Sequence, residues 1–184
     1  MRWERLFADL EGQLAAGERR ELDDEVAERT RRERALVRLV DRLGAALGTG
    51  VTLGLLGGQR AEGEVADVGD DWLLVRTGGG RDLLVPVAVV ASVQGWGSGS
   101  GSGGPRPARR FGLGYALRAL SRDRVTVAVG LVGGGAPLVG TIDAVGADHL
   151  DLAEHPEGTP RRREHVTATT TVATGALLFV ESRR

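Results

Sequence analysis

The chain has 184 residues and a formal net charge of -1; it contains 29 Gly and neither Cys nor Asn, and all 24 of its basic residues are Arg. Without Lys there is no Schiff-base amine and no complete Walker A phosphate loop, and without Cys there is no thiol nucleophile, disulfide framework or thiolate metal site. The near-neutral charge supplies no global field for nucleic acid or anionic lipid, and the longest apolar run, residues 83–91 with Pro86 inside it, falls well short of the roughly 20 residues that span a bilayer. The expectation is a cytoplasmic protein without a membrane segment and without a cofactor. The all-Arg usage, beside abundant Gly, Ala and Val and a single Ile, reads as codon composition rather than as a phosphate-binding signature.

Residues 1–47 are predicted to be helical, broken near Gly17. Trp3, Phe7, Leu10 and Leu14 recur at spacings of three and four, and Leu22, Val26, Leu36, Val40, Leu43 and Leu47 continue the stripe. Residues 29–34, Arg-Thr-Arg-Arg-Glu-Arg, interrupt it with charge. Residues 1–49 carry 10 basic and 11 acidic side chains, a balance that favours ion pairs along a solvated helix over nucleic-acid binding. The apolar stripe also makes residues 1–47 a candidate surface for a protein partner. After Gly48 the period changes to alternation, and strands are predicted over 51–55, 61–68, 71–77, 81–85 and 90–93. Gly57-Gly58 is the first hairpin turn, and the segment 87–89 after Pro86 suits a 3₁₀ turn. Residues 97–106 are a Gly/Ser-rich linker by composition. A second helix with Phe111, Tyr115, Leu117 and Leu120 follows, then a strand over 125–129 and a turn at Gly133-Gly134-Gly135. The organisation is therefore 1–47 helical, 48–96 a first β domain, 97–106 linker, and 107–184 a helix with a second β domain.

The two β domains are repeats. Residues 63–73, from Gly63 to Leu73, align without gaps on residues 140–150, from Gly140 to Leu150, sharing Gly, an apolar residue, Val-Gly, Asp and Leu at identical spacing. Val51-Thr52 matches Val125-Thr126 with three extra residues in the second hairpin, and Val85 to Val93 matches Val172 to Val180 with ten extra between the third and fourth strands. A helix leading into five short, bent antiparallel strands, with Gly63 or Gly140 in the second and a 3₁₀ turn before the fifth, resembles the Sm-like fold, a small SH3-type barrel related to Hfq. The tandem is similar to actinobacterial chains of this kind. The resemblance covers residues 36–96 and 111–182. It implies a mainly β fold with α: an N-terminal helical segment and two five-stranded Sm-like barrels, a non-enzymatic interaction module with RNA as its usual partner. It further implies self-association through barrel edges, since strands four and five pair with the next barrel and residues 87–93 are apolar with no charge. A scaffold acting through the N-terminal helices is the alternative, and an enzyme ranks third because no acid, base and nucleophile converge at a recognisable spacing.

For a nucleic-acid partner, RNA or DNA, the candidate contacts are Arg161, Arg162 and Arg163 in the enlarged loop of the second repeat, with Arg106, Arg109 and Arg110 before its helix; the alternative is a solvated loop beside Glu154, Glu157 and Glu164. Residues 105–184 carry 11 basic and 8 acidic side chains, against 3 and 6 over residues 50–104. Trp72 is a candidate base-stacking surface, although a strand Trp more often closes one end of a small core, and His149 stands in its place in the second repeat. His149, His155 and His165 lack the spacing of a metal site and are expected at the surface. Asp71 and Asp148, matched between repeats, are expected to cap the turn between the second and third strands.

Overall fold

The structure, a computed structural model, describes residue 22 and residues 24–95 and 111–183. The chain divides into two units at Arg38. In the first, residues 24–35 form helix α1, exposed along nearly its whole length and laced by Arg29–Glu33 and Arg32–Glu28 ion pairs four residues apart. The helix expected to run on to residue 47 stops here. The Leu36 and Val37 N–H groups bond back to Glu33 and Arg34, three residues behind, which tightens and closes the last turn. Leu22, Val26, Leu36 and Val37 are all exposed. The charged stretch 29–34 leaves the stripe nothing to bury, so no packing holds one continuous helix in register. The predicted helix over 1–17 and the linker over 97–106 lie outside the described residues, apart from residue 22 of the segment before α1.

The second unit is mainly β. Helix α2 (Leu39–Ala45) leads into β1 (Gly50–Leu55), β2 (Arg60–Val68), β3 (Trp72–Arg76), β4 (Asp82–Pro86) and β5 (Val90–Gln94). Helix α3 (Leu113–Arg122) leads into β6 (Thr126–Leu131), β7 (Leu138–Val145), β8 (His149–Glu154), β9 (Ala168–Ala173) and β10 (Leu177–Arg183). The ten strands form one antiparallel sheet in the order β5-β1-β2-β3-β4-β10-β6-β7-β8-β9, open, with β5 and β9 at its ends. Each half repeats the same order, its fifth strand beside its first. The 3₁₀ turn expected at 87–89 is present as Val87–Val89, and Thr174–Ala176 is its counterpart in the second half.

The register carries the repeat to residue level. A β-bulge interrupts β2–β3 between Val65 and Asp67, and its counterpart interrupts β7–β8 between Ile142 and Ala144. Gly63 and Gly140 serve less as bends than as places of close approach: a Cβ at either would strike the carbonyl oxygen of Arg76 or Ala153 on the next strand. Val51 faces Gly63 and Val127 faces Gly140, so Val51 superimposes on Val127 rather than on Val125. The second hairpin is one residue longer, not three. A shift of two keeps every side chain on its face, so alternation in Val125-Thr126-Val127-Ala128-Val129 does not distinguish the two alignments.

Two apolar cores lie under the sheet, and each takes side chains from the other half. Val40 and Leu43 of α2, Leu53, Val65, Leu73 and Val85 form the first, joined by Leu178 of β10. Leu117 of α3, Val129, Ile142, Leu150 and Val172 form the second, joined by Trp72 and Leu84 of the first repeat.

Candidate functional site

The feature that sets this sheet apart is the joint at its centre, where β4 of the first repeat pairs with β10 of the second through Leu84–Val180 and Leu83–Glu181. A β-bulge at Leu178, where Leu177 and Phe179 face Leu131 and Gly130, breaks the alternation and sends Leu178 into the first core. The Arg81–Glu181 ion pair and a hydrogen bond from the Asp82 N–H to the Ser182 hydroxyl flank the joint. A cavity of about 270 Å³ opens beside it, between α3 and the face formed by Trp72, Leu74 and Leu84.

A corner of the first repeat completes the joint. After β2 the chain turns through Gly69, Asp70 and Asp71 into Trp72, and the indole lies over Gly69, where a Cβ would collide with the ring. The Trp72 Nε1–H donates to the Phe111 carbonyl at 2.9 Å, and the Asp70 N–H donates to the same oxygen at 3.2 Å. The Leu113 N–H donates to Asp71 Oδ1 at 2.6 Å. Gly112, at the N-cap of α3, has no side-chain oxygen to offer, so the cap comes from Asp71 of the other repeat, whose negative charge also suits a helix start. Asp71 therefore caps α3 and not its own turn. Trp72 is no stacking surface but buried, as a core-closing Trp would be: its indole N–H is committed to Phe111 and its rings fill the second core.

The second repeat carries the same corner without an occupant among the described residues. The Gly146 N–H bonds to the His149 carbonyl as Gly69 does to that of Trp72, and the Thr174 N–H bonds to the Asp148 carbonyl as Val87 does to that of Asp71. The His149 ring lies over Gly146 as the indole lies over Gly69. His149 Nδ1 sits 2.9 Å from Asp148 Oδ1, and both side chains are open to solvent, 46% and 89% exposed. That hydrogen bond holds the imidazole pKa above its ordinary value and the Asp148 carboxyl below its own. Around the corner, Asp151 and Thr171 stand where Leu74 and Leu84 stand in the first repeat, and the Thr171 hydroxyl donates to Asp151 at 2.6 Å.

The predicted basic cluster is divided. Arg161 pairs with Asp143, which Arg124 also reaches at 2.9 Å. Burial pushes the Asp143 carboxyl up, but hydrogen bonds from the two guanidinium groups outweigh it and hold the group below its usual range. Arg162 and Arg163 are exposed and have no partner among the described residues, and Arg106, Arg109 and Arg110 lie outside them. The histidines do not converge. His155, expected at the surface, is buried: its Nδ1–H donates to the Pro156 carbonyl at 3.0 Å, and its Nε2 lies 2.9 Å from the Thr141 hydroxyl. His165 bonds to the Pro160 carbonyl. Among the described residues no cluster of three metal-binding side chains occurs.

Sequence reasoning missed the joint. Its signal lay in the repeat itself, where Trp72, Leu74 and Leu84 are apolar and their counterparts His149, Asp151 and Thr171 are polar. Phe111, expected in the helix, precedes α3, and Phe111 and Tyr115 are both exposed and stack on each other at 4.1 Å. Comparison of the chain with protein-family models, with curated proteins and with solved structures finds no match.

Proposed function

We propose that the chain is a non-enzymatic interaction module of two Sm-like barrels that associates head to tail with further copies of itself. The observation that carries this reading is the β4–β10 joint: the fourth strand of one repeat pairs with the fifth strand of the other. Among the described residues the same two kinds of edge are left over at the ends of the sheet, a fifth strand in β5 and a fourth strand in β9. Proteins that resist edge pairing place charges or Pro on such strands. Val90-Ala91-Ser92-Val93-Gln94 and Ala168-Thr169-Thr170-Thr171-Val172-Ala173 carry neither.

The repeat also supplies the register. Gln94 corresponds to Glu181 and Thr170 to Leu83, which face each other in the joint, so Gln94 of one copy is expected to face Thr170 of the next. The chain has no Cys of its own, which makes the test direct. A Gln94→Cys/Thr170→Cys variant under mild oxidation is expected to give disulfide-linked dimers and higher species, while either single variant gives dimers at most. Light scattering of the wild-type chain from low to high micromolar concentration is expected to show a rising mass; a monomeric mass throughout, with no linked species, overturns the reading.

A second reading, nucleic-acid binding, is favoured by Arg162 and Arg163, exposed and without a partner among the described residues, in the loop that the second repeat enlarges. Guanidinium groups free of carboxylate partners are available to phosphate oxygens. Retention of an RNA or DNA probe should fall with salt and weaken in Arg162→Ala/Arg163→Ala. Retention unchanged by both rejects it.

A further inference from the structure

We propose that the Asp148–His149 corner is the contact that makes head-to-tail association depend on pH, drawing the next copy in when His149 is protonated. The inference rests on the self-association reading and adds a determinant to it. In the first repeat the corner offers three groups to the incoming backbone: the Asp71 carboxylate, the Asp70 N–H and the Trp72 indole N–H. The second repeat presents the same three positions as Asp148, Ala147 and His149, on the end of the sheet where β9 is the edge strand among the described residues. An incoming copy that pairs its β5 with β9 brings the start of its own α2, Leu39 with Arg38 before it, to this corner, as the start of α3 reaches Asp71 and Trp72.

The difference between the corners is chemical. An indole N–H is always a donor. In His149 the Nδ1 faces a carboxylate, which only accepts, so Nδ1 carries a proton. In the neutral ring Nε2 is then an acceptor and meets an incoming carbonyl with a lone pair; in the charged ring it is a donor and takes the place of the indole N–H. Asp148 and Asp151 are the charged groups that act on this ring. Ala173 of β9 faces it across the sheet, and the turn beyond, Thr174–Ala176, has no titratable side chain. The joint within the chain is anchored by Leu74, Leu84 and Leu178. The free ends offer Asp151, Thr171 and Ala91 in those places, so the corner has little apolar burial to compete with and its charge state governs the affinity.

Sedimentation velocity of the full chain above and below neutral pH tests this. Association of the wild type is expected to tighten about tenfold or more as His149 takes up its proton, the scale of a hydrogen bond to a charged group. His149→Trp is expected to associate equally at both pH values, as tightly as the protonated wild type, and His149→Phe equally weakly at both. Asp148→Asn, which removes the carboxylate that holds the proton on the ring, is expected to move the midpoint to lower pH; a corner that only supports its own turn would not shift that midpoint. A wild type that associates with one affinity at both pH values, with no change in His149→Trp, overturns the corner proposal and leaves self-association standing. A monomeric wild type and a monomeric His149→Trp at both pH values overturn both.

Discussion

Asp71 and Asp148 occupy one position in two repeats, yet their carboxylates face different partners. Asp71 accepts from the Leu113 N–H across the joint, while Asp148 holds its neighbour His149 in solvent. Removing a helix cap costs about 0.5–2 kcal/mol, so Asp71→Ala should lower the urea midpoint measurably. Asp148→Ala should leave it nearly unchanged, since an exposed pair contributes little. Equal losses in the two variants would mean that both aspartates support their own turns. The Asp148–His149 pair has a definite pH signature. His149 binds its proton more tightly in the folded chain than the ordinary value of 6.5, so the pair's contribution is present below that value and fades as pH rises through the raised one. Asp148 is held below 3.8, so the contribution is also lost as pH falls through its lowered value. NMR titration of the His149 ring protons should give a midpoint above that of a free imidazole, and Asp148→Ala should bring it back.

At the scale of elements, the strands, the turns and the repeat were legible because they follow from local rules. Alternation marks a half-buried strand, and paired glycines such as Gly57 and Gly58, both at positive φ, mark a turn. What local rules do not carry is the core that an apolar side chain enters. Leu177, Leu178 and Val180 read as one apolar strand end, yet the bulge sends Leu178 to the first core and leaves Leu177 and Val180 in the second. Trp72 reads more readily as the plug of a small core than as a stacking surface, but which core it plugs is not legible until Phe111, far along the chain, takes up its N–H. In the same way, Arg161 reads as a phosphate contact until the fold brings Asp143 and Arg124 beside it. Leu178→Ala is the element-level test. Truncating a fully buried Leu costs roughly 2–5 kcal/mol, and here the cavity would open in the core of the first repeat although the residue belongs to a strand of the second. Amide exchange should therefore quicken in β1 to β4 as well as in β10. A change confined to β6 to β10 would count against the exchange of side chains between cores.

The whole molecule follows from that exchange. Two repeats linked only by a chain would unfold separately, each with its own stability, and a sheet that merely abutted at β4 and β10 through two residue pairs would add little coupling. Here Leu178 completes the first core, Trp72 and Leu84 complete the second, and Asp71 caps the helix that closes it. Loss of either half exposes apolar surface of the other, at roughly 25 cal/mol for each Å² returned to water, so a state with one repeat folded is disfavoured by both cores at once. The expected outcome is one cooperative transition. With Trp3 and Trp96 replaced by Phe, Trp72 fluorescence reports the joint alone, while far-UV circular dichroism reports both halves. The two urea curves should coincide in midpoint and slope. Leu178→Ala, which weakens the coupling from the first core's side, should be the variant in which they begin to separate. Two well-resolved transitions in the chain with Leu178 intact would mean that the repeats are independent domains that touch.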